Sequence, residues 1–254
     1  MSDYTSKLIH VASSDALSAS VLNKADFEVD LQAHLGINKT VRITLKSCIF
    51  PNVFPNITTG VDDIFKFQET GQVAQSITIA QGFYTATELA SALQTAINLV
   101  LVAGSVAITI NTNTLKFIFT FTSTTASILT SAAGNTMAPR IGVIDGATDV
   151  AAYTSEVAMS LQGLTEVFLV SKNVAPSNMI RSLGTVIHTV TNIPITAPFG
   201  GMNVFNSQDD ELTSITYKTP RDLRFVDFKL TDRNGTTVNL DNQNLKVCFM
   251  VYYE

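Results

Sequence analysis

The side chains of this 254-residue chain that could do chemistry are few and scattered. Its three histidines, His10, His34 and His188, lie far apart, and each has apolar or small neighbours with no patterned carboxylate or thiol beside it. A relay is made by geometry and not by adjacency, so the sequence offers no candidate triad, and each histidine is expected to be structural or exposed. The two cysteines, Cys48 and Cys248, are too few for a disulfide scaffold or a zinc site; both fall in strand-like segments, which predicts free, buried, reduced thiols. Asp62-Asp63, Asp145-Gly146 and Asp209-Asp210-Glu211 are oxygen-rich clusters of the kind a hard cation uses, but none has the spacing of an EF-hand loop, and solvated turns are expected. There is no Gly-x-Ser-x-Gly elbow, no phosphate-cradling glycine loop and no His-Glu-x-x-His helix. The sequence therefore predicts no catalytic, cofactor-binding or metal-ligating residue, and no cofactor.

Composition narrows the partners. Hydrophobic residues make up 46% of the chain and charged ones only 15%, so much of the surface is expected to be covered by other proteins. A net charge of −5, with no cluster of Lys and Arg, argues against nucleic acid as the main partner. The longest apolar-rich stretch, Leu89 to Ile110, is interrupted by Gln94, Asn98, Gly104 and Ser105, so no membrane span is expected. Met1-Ser2-Asp3-Tyr4 does not open a signal peptide, which makes synthesis in a cytosol the expectation and leaves the sequons at Asn38, Asn56 and Asn234 unused.

What elements would position such a surface? The clearest stretch runs from Ser76 to Thr122. Ser76 to Ile79 alternates as a strand, and Thr85-Ala86-Thr87-Glu88 has the spacing of a capping box, which starts a helix near Ala86. Leu89, Leu93 and Ile97 form its apolar stripe, while Thr87, Ser91, Gln94 and Asn98 face elsewhere. Val106, Ile108 and Ile110 then alternate up to the turn Asn111 to Thr114, and Leu115, Phe117, Phe119 and Phe121 alternate back, a hairpin on whose greasy face the helix should lie.

The flanks read as β framework. Residues 1–23 are predicted to be an arm, disordered until assembly, with Leu8 to Val11 its only strand-like run. Phe27, Val29 and Leu31 alternate with an acidic face of Asp26, Glu28 and Asp30, and Val41 to Phe50 alternates until Pro51 ends the pairing. Ile64, Phe65 and Phe67 suggest another strand. Residues 123–160, small and polar, read as loops and a short helix that reach a neighbour or cap the fold. Strands resume at Val167 to Val170, Thr185 to Val190 and Ile215 to Tyr217; Val226 to Leu230 then reaches an Asn-Gly turn with Val238 and Leu240 returning, and Leu245 to Tyr253 closes the chain. The simplest organisation is one mainly β sandwich, residues 1–75 plus 160–254, carrying an insertion over 76–159.

The order of these motifs resembles the penton and minor capsid proteins of double-stranded DNA viruses of the virophage, polinton-like and giant-virus groups. The residues that carry the resemblance are Ser13-Ser14-Asp15, the acidic strand Asp26 to Leu31, Ile49-Phe50-Pro51-Asn52 with Pro55-Asn56-Ile57, Ile77-Thr78-Ile79 leading to Gly82-Phe83-Tyr84-Thr85, the aromatic hairpin, Tyr217-Lys218-Thr219-Pro220, and Leu230-Thr231-Asp232-Arg233-Asn234-Gly235. The resemblance implies a jelly-roll β-sandwich of two sheets with about four strands each, with no catalytic residues. It also implies a virion protein assembled in the host cytoplasm, most simply a homopentameric penton at the capsid vertices with the major capsid protein as its neighbour. A cementing minor capsid protein and a receptor- or glycan-binding spike or fibre domain are the alternatives.

Overall fold

The computed structural model describes residues 5–16, 18–19, 24–30, 39–175, 179–182, 185–207, 213–221 and 223–253. The chain divides into two compact units, Met1–Phe54 with Leu164–Glu254, and Pro55–Gly163. Strands β1 (Thr5–Ala12), β2 (Ser18–Ala19), β3 (Asp26–Asp30) and β4 (Thr40–Pro51) come first. The second unit supplies β5 (Ile64–Glu69), β6 (Gln75–Thr78), helix α1 (Ala86–Asn98), β7 (Ser105–Asn111), β8 (Lys116–Thr122), β9 (Ala126–Ile128), β10 (Ala147–Val150) and β11 (Ala152–Thr154). The first unit resumes with β12 (Glu166–Val170), β13 (Met179–Ser182), β14 (Thr185–Pro194), β15 (Met202–Asn206), β16 (Ser214–Arg221), β17 (Phe225–Thr231) and β18 (Lys246–Tyr253).

In the first unit one sheet has the order β1-β18-β4-β15, with β16 also paired to β4, and the other the order β13-β14-β12-β17-β3-β2. First strand pairs with last, and of the eight strands of the roll only β12 and β14 follow one another in the same sheet, the rest alternating between sheets; this interleaving is the jelly roll. The sheets have five and six strands rather than about four, because β16, β13 and β2 add to the eight of the roll. Period-two alternation in each strand turns one set of side chains inward: Val226, Phe228 and Leu230 from β17 meet Val247, Phe249 and Val251 from β18 in one buried cluster. Phe228 joins the two layers, its ring 5.5 Å from Phe249 and 5.9 Å from Phe27.

Part of the predicted arm is a strand of this roll. Along β1 every residue from Thr5 to Ala12 is in register with β18, and Ile9 and Val11 are buried, so two apolar side chains and a full ladder offset the ordering entropy that composition alone weighed against it. Ser13 extends the junction, its amide donating to the Leu245 carbonyl and its hydroxyl accepting from the Leu245 amide. The C-terminal hairpin differs in the other direction. Asp232 Oδ1 accepts from the amides of Asn234 and Thr236 in the expected turn, but the return forms no strand: it joins β17 through the Thr231–Thr237 bridge and through bonds from the Asp232 amide to the Thr236 carbonyl and from the Val238 amide to the Leu230 carbonyl. Both cysteines are free and buried. Cys48 pairs with Val247 and Cys248 with Ser47, so the two thiols lie on adjacent strands but opposite faces of the sheet, which geometry bars from a disulfide.

The second unit starts at Pro55 rather than at Ser76, because β5 pairs with β6 on one side and β9 on the other and so joins the helix unit instead of the sandwich. Residues 123–160, expected as loops, supply β9, β10 and β11, which widen two sheets to β10-β9-β5-β6 and β11-β8-β7. These sheets pack face to face through Phe65 and Phe119, whose rings stack at 5.7 Å. Helix α1 has its capping box: the Glu88 amide donates to Thr85 Oγ1, and Glu88 Oε2 accepts from the Thr85 amide. Leu89, Leu93 and Ile97 are buried with Val106, Ile108, Phe117 and Phe119.

Gln94 and Asn98, expected to face away from the sheet, do the opposite. Asn98 accepts from the Val106 amide at 2.7 Å and donates to the Val106 carbonyl at 3.1 Å, and Gln94 accepts from the Ile108 amide at 2.8 Å. One turn apart on α1, these amides take the place of a neighbouring strand along the open edge of β7, which would otherwise present unpaired backbone.

Candidate assembly surfaces

The structure takes several of the residues singled out for chemistry into its packing. His10 on β1 faces Cys248 on β18, with Nε2 and Sγ 3.7 Å apart, a juxtaposition across 238 residues that no local pattern could reveal. Burial pushes the Cys248 thiol up, against the opposing effects of a Ser47 hydrogen bond and the Lys46 charge, so it stays a protonated thiol and not a nucleophile. Burial pushes Cys48 up further. His188 is half-buried on β14, and its Nδ1 is buried without a hydrogen-bond partner. His34 and Asp209-Asp210-Glu211 lie outside the described residues.

Asp62 and Asp63 are not a solvated turn: both are buried, and Asp62 accepts from the Thr58 amide and from Arg140 Nε, each at 2.6 Å. The partner that makes burial tolerable is 78 residues away. Asp145 is exposed in the turn before β10. Asn56, a sequon residue, is 1% exposed and works as a bracket: its Nδ2 donates to the carbonyls of Tyr84 and Leu161, and its Oδ1 accepts from the Tyr84 amide. Among the described residues no group of three His, Cys, Asp or Glu side chains is placed to hold a metal ion.

What the sandwich offers instead is surface. On the outer face of the first sheet the registers line up rows across the strands: Val204, Ile49, Lys246 and Ala12 in one, then Ser47, Cys248 and His10, then Thr44, Met250 and Leu8. Leu8, Val204 and Met202 are 46%, 54% and 51% exposed. Arg42, in the next row, is folded over the Tyr252 ring at 5.2 Å and donates to Ser214 Oγ. The result is a largely uncharged strip with exposed aliphatic side chains, the kind of face that marks a contact with another protein. The local signal of its edge strand, β15, is the short alternation of Met202 and Val204.

The outer face of the second sheet is of opposite character. Asp26, Glu28 and Asp30 line β3 beside Asp227 and Lys229 of β17, with Lys229 3.4 Å from Asp26 and Arg224 3.8 Å from Asp30. Such exposed pairs contribute little to stability but keep that face wet. Asp227 is internally satisfied, accepting from Ser171 Oγ and from the amides of Lys172 and Asn173.

No family model matches the chain, and no curated protein matches it. Among solved structures, it is similar to the crystal structure of the mavirus penton protein, with a TM-score of 0.54 and 8% sequence identity over 97% of this chain and 99% of that one. A chain of the cryo-EM structure of the Sputnik virophage is similar with a TM-score of 0.44 and 13% identity, over 98% of this chain and 97% of that one. The jelly-roll fold inferred from motif order is thus shared with a solved penton protein along nearly its whole length.

Proposed function

We propose that this chain is a structural capsid subunit, a single jelly-roll penton that forms homopentamers at the vertices of a double-stranded DNA virus or virophage particle, against the major capsid protein. The observation that carries the reading is the end-to-end likeness to the mavirus penton protein, which takes in both the sandwich and the inserted unit. Two features support it: His10 and Cys248 face each other across β1 and β18 and Asp62 is bound to Arg140, and the outer strip of the first sheet supplies a flank of low charge. A ring of identical subunits needs such flanks, since it closes through a heterologous interface that each copy makes with the next. The protein is then a non-enzymatic component of the virion, made in the host cytoplasm.

Light scattering of the purified protein, together with its position in a virion map, tests this. A fivefold ring at the vertices is expected. A dimer or trimer between other capsomers would make it a cementing protein, and absence from the particle would end the capsid reading.

A further inference from the structure

The link from α1 to β7 is the most exposed apolar feature of the second unit. Leu99 is 81% exposed, Val102 68% and Val100 38%, and Val73, in the turn between β5 and β6, is 74% exposed. These aliphatic side chains would normally be buried, and the segment that carries them is not loose. Glu69, itself 4% exposed at the end of β5, accepts from the Val102 amide at 2.8 Å, the Ala103 amide at 3.0 Å and Thr124 Oγ1 at 2.9 Å. The Leu99 and Leu101 amides are held by Thr95 and Ile97 carbonyls, and Leu101 packs on the core. Gly104, at φ +72°, passes so close to the Thr122 carbonyl that a Cβ would lie 2.0 Å from its oxygen. The turn bearing Val73 starts from the same Glu69, whose carbonyl accepts from the Gln72 amide. Two segments are thus fixed at one buried residue, the first by the Glu69 carboxylate and the second by its backbone carbonyl, with their aliphatic side chains exposed.

We propose that this tip inserts into the apolar layer of a lipid bilayer. Two observations select that occupant. The patch amounts to four aliphatic side chains, whereas a stable protein–protein interface takes roughly 20–30 residues a side; a small exposed patch suits a fluid apolar phase that closes round it. The two segments are also poor in charge: no Asp, Glu, Lys or Arg lies between Thr70 and Thr87 or between Leu89 and Leu115, and the carboxylates that approach them are held by hydrogen bonds, Glu69 to the Val102 and Ala103 amides and Asp149 to the Thr70 and Ser127 hydroxyls. The aliphatic side chains themselves carry no charge into the bilayer, Asp149 stays at the level of the headgroups, and the gain comes from the buried aliphatic area. Insertion is shallow, since no described helix is long and apolar enough to cross a membrane. The inference does not depend on the capsid reading.

The chain contains no tryptophan, so Val102→Trp places a single reporter in the tip. With the full chain and vesicles of zwitterionic phosphatidylcholine, the expected results are a blue-shifted emission and flotation with the vesicles that persists between about 0.1 and about 1 M salt. Replacing Leu99 and Val102 together by serine should weaken partitioning by roughly a hundredfold, with unchanged circular dichroism. Leu115→Ser, at an aliphatic residue 49% exposed outside the tip, should leave it unchanged. The proposal is overturned by no flotation, by flotation that salt abolishes, by an equal loss in Leu115→Ser, or by a blue shift that grows with protein concentration without vesicles, which would mean that a second copy covers the tip.

Discussion

The two units solve the same packing problem with opposite chain statistics. In the second, most pairings join neighbours in sequence: β7 with β8, β5 with β6, and α1 with the β7 edge eight to fourteen residues on. In the jelly roll, Thr5 pairs with Tyr253, and the Ser13 hydroxyl bonds to Asn244 across 231 residues. Charge divides them too, for only Lys66, Lys116 and Arg140 of the sixteen Lys and Arg lie within the second unit. Local pairing lets a unit declare itself in short motifs and assemble with little loop closure, while the roll must close most of the chain before its sheets exist.

The largest expected effect comes from Leu93→Asp, which puts an unpaired carboxylate where the leucine is fully buried. It should cost more than about 4 kcal/mol and abolish amide protection in residues 55–163, while the β1–β18 ladder keeps its protection. Loss of both together would show that the units do not fold separately. Phe228→Ala probes the other side of the comparison: removing the ring between Phe27 and Phe249 should cost about 3–5 kcal/mol, read as a lowered thermal transition of the sandwich. Unchanged melting would refute its place at the joint.

Glu69→Gln should cost about 1–3 kcal/mol, because one of the two side-chain positions that accept hydrogen bonds becomes a donor facing a donor. Burial pushes the Glu69 carboxyl up, but the bonds from Val102, Thr124 and Ala103 outweigh it and hold the group below the ordinary glutamate value. A depressed carboxylate gives stability that is complete above that ordinary value and is lost as pH falls through the depressed one. Protection of the Val102 and Ala103 amides in the parent chain, relative to their intrinsic exchange at each pH, should therefore fall below roughly pH 4 and hold between about pH 6 and about 9. The smallest effect is Thr85→Ala, about 1 kcal/mol from the lost cap, seen as fraying of the first turn of α1 by exchange.

The helix, its cap and the hairpin were legible because each is specified within a few residues: Thr85 and Glu88 are three apart, and the Asn111 carbonyl oxygen of the side chain accepts from Asn113 and Thr114 in its own turn. The alternation of β4, β17 and β18 likewise announced strands and their inward faces. Ile64 to Glu69 announced a strand as well, but its partners β6 and β9, and hence the unit it belongs to, did not follow from its own residues. Asp62 looked like a solvated turn because nothing near it in sequence signals Arg140, and Gln94 and Asn98 looked like a solvent face because polarity does not say whether water or an open strand edge will be the partner.

By itself, then, the sequence determined what short-range physics determines: which segments pleat or coil, where they stop and which side of each is apolar. The order of strands in the sheets, the pairing of buried Asp62 with the half-buried Arg140, the separation of Cys48 and Cys248 onto opposite faces, and the clamp of Glu69 on the 99–103 segment were decided only by tertiary structure. Each of these depends on groups brought together after long loops have closed, and period-two or period-3.6 patterning carries no information about which distant group will arrive.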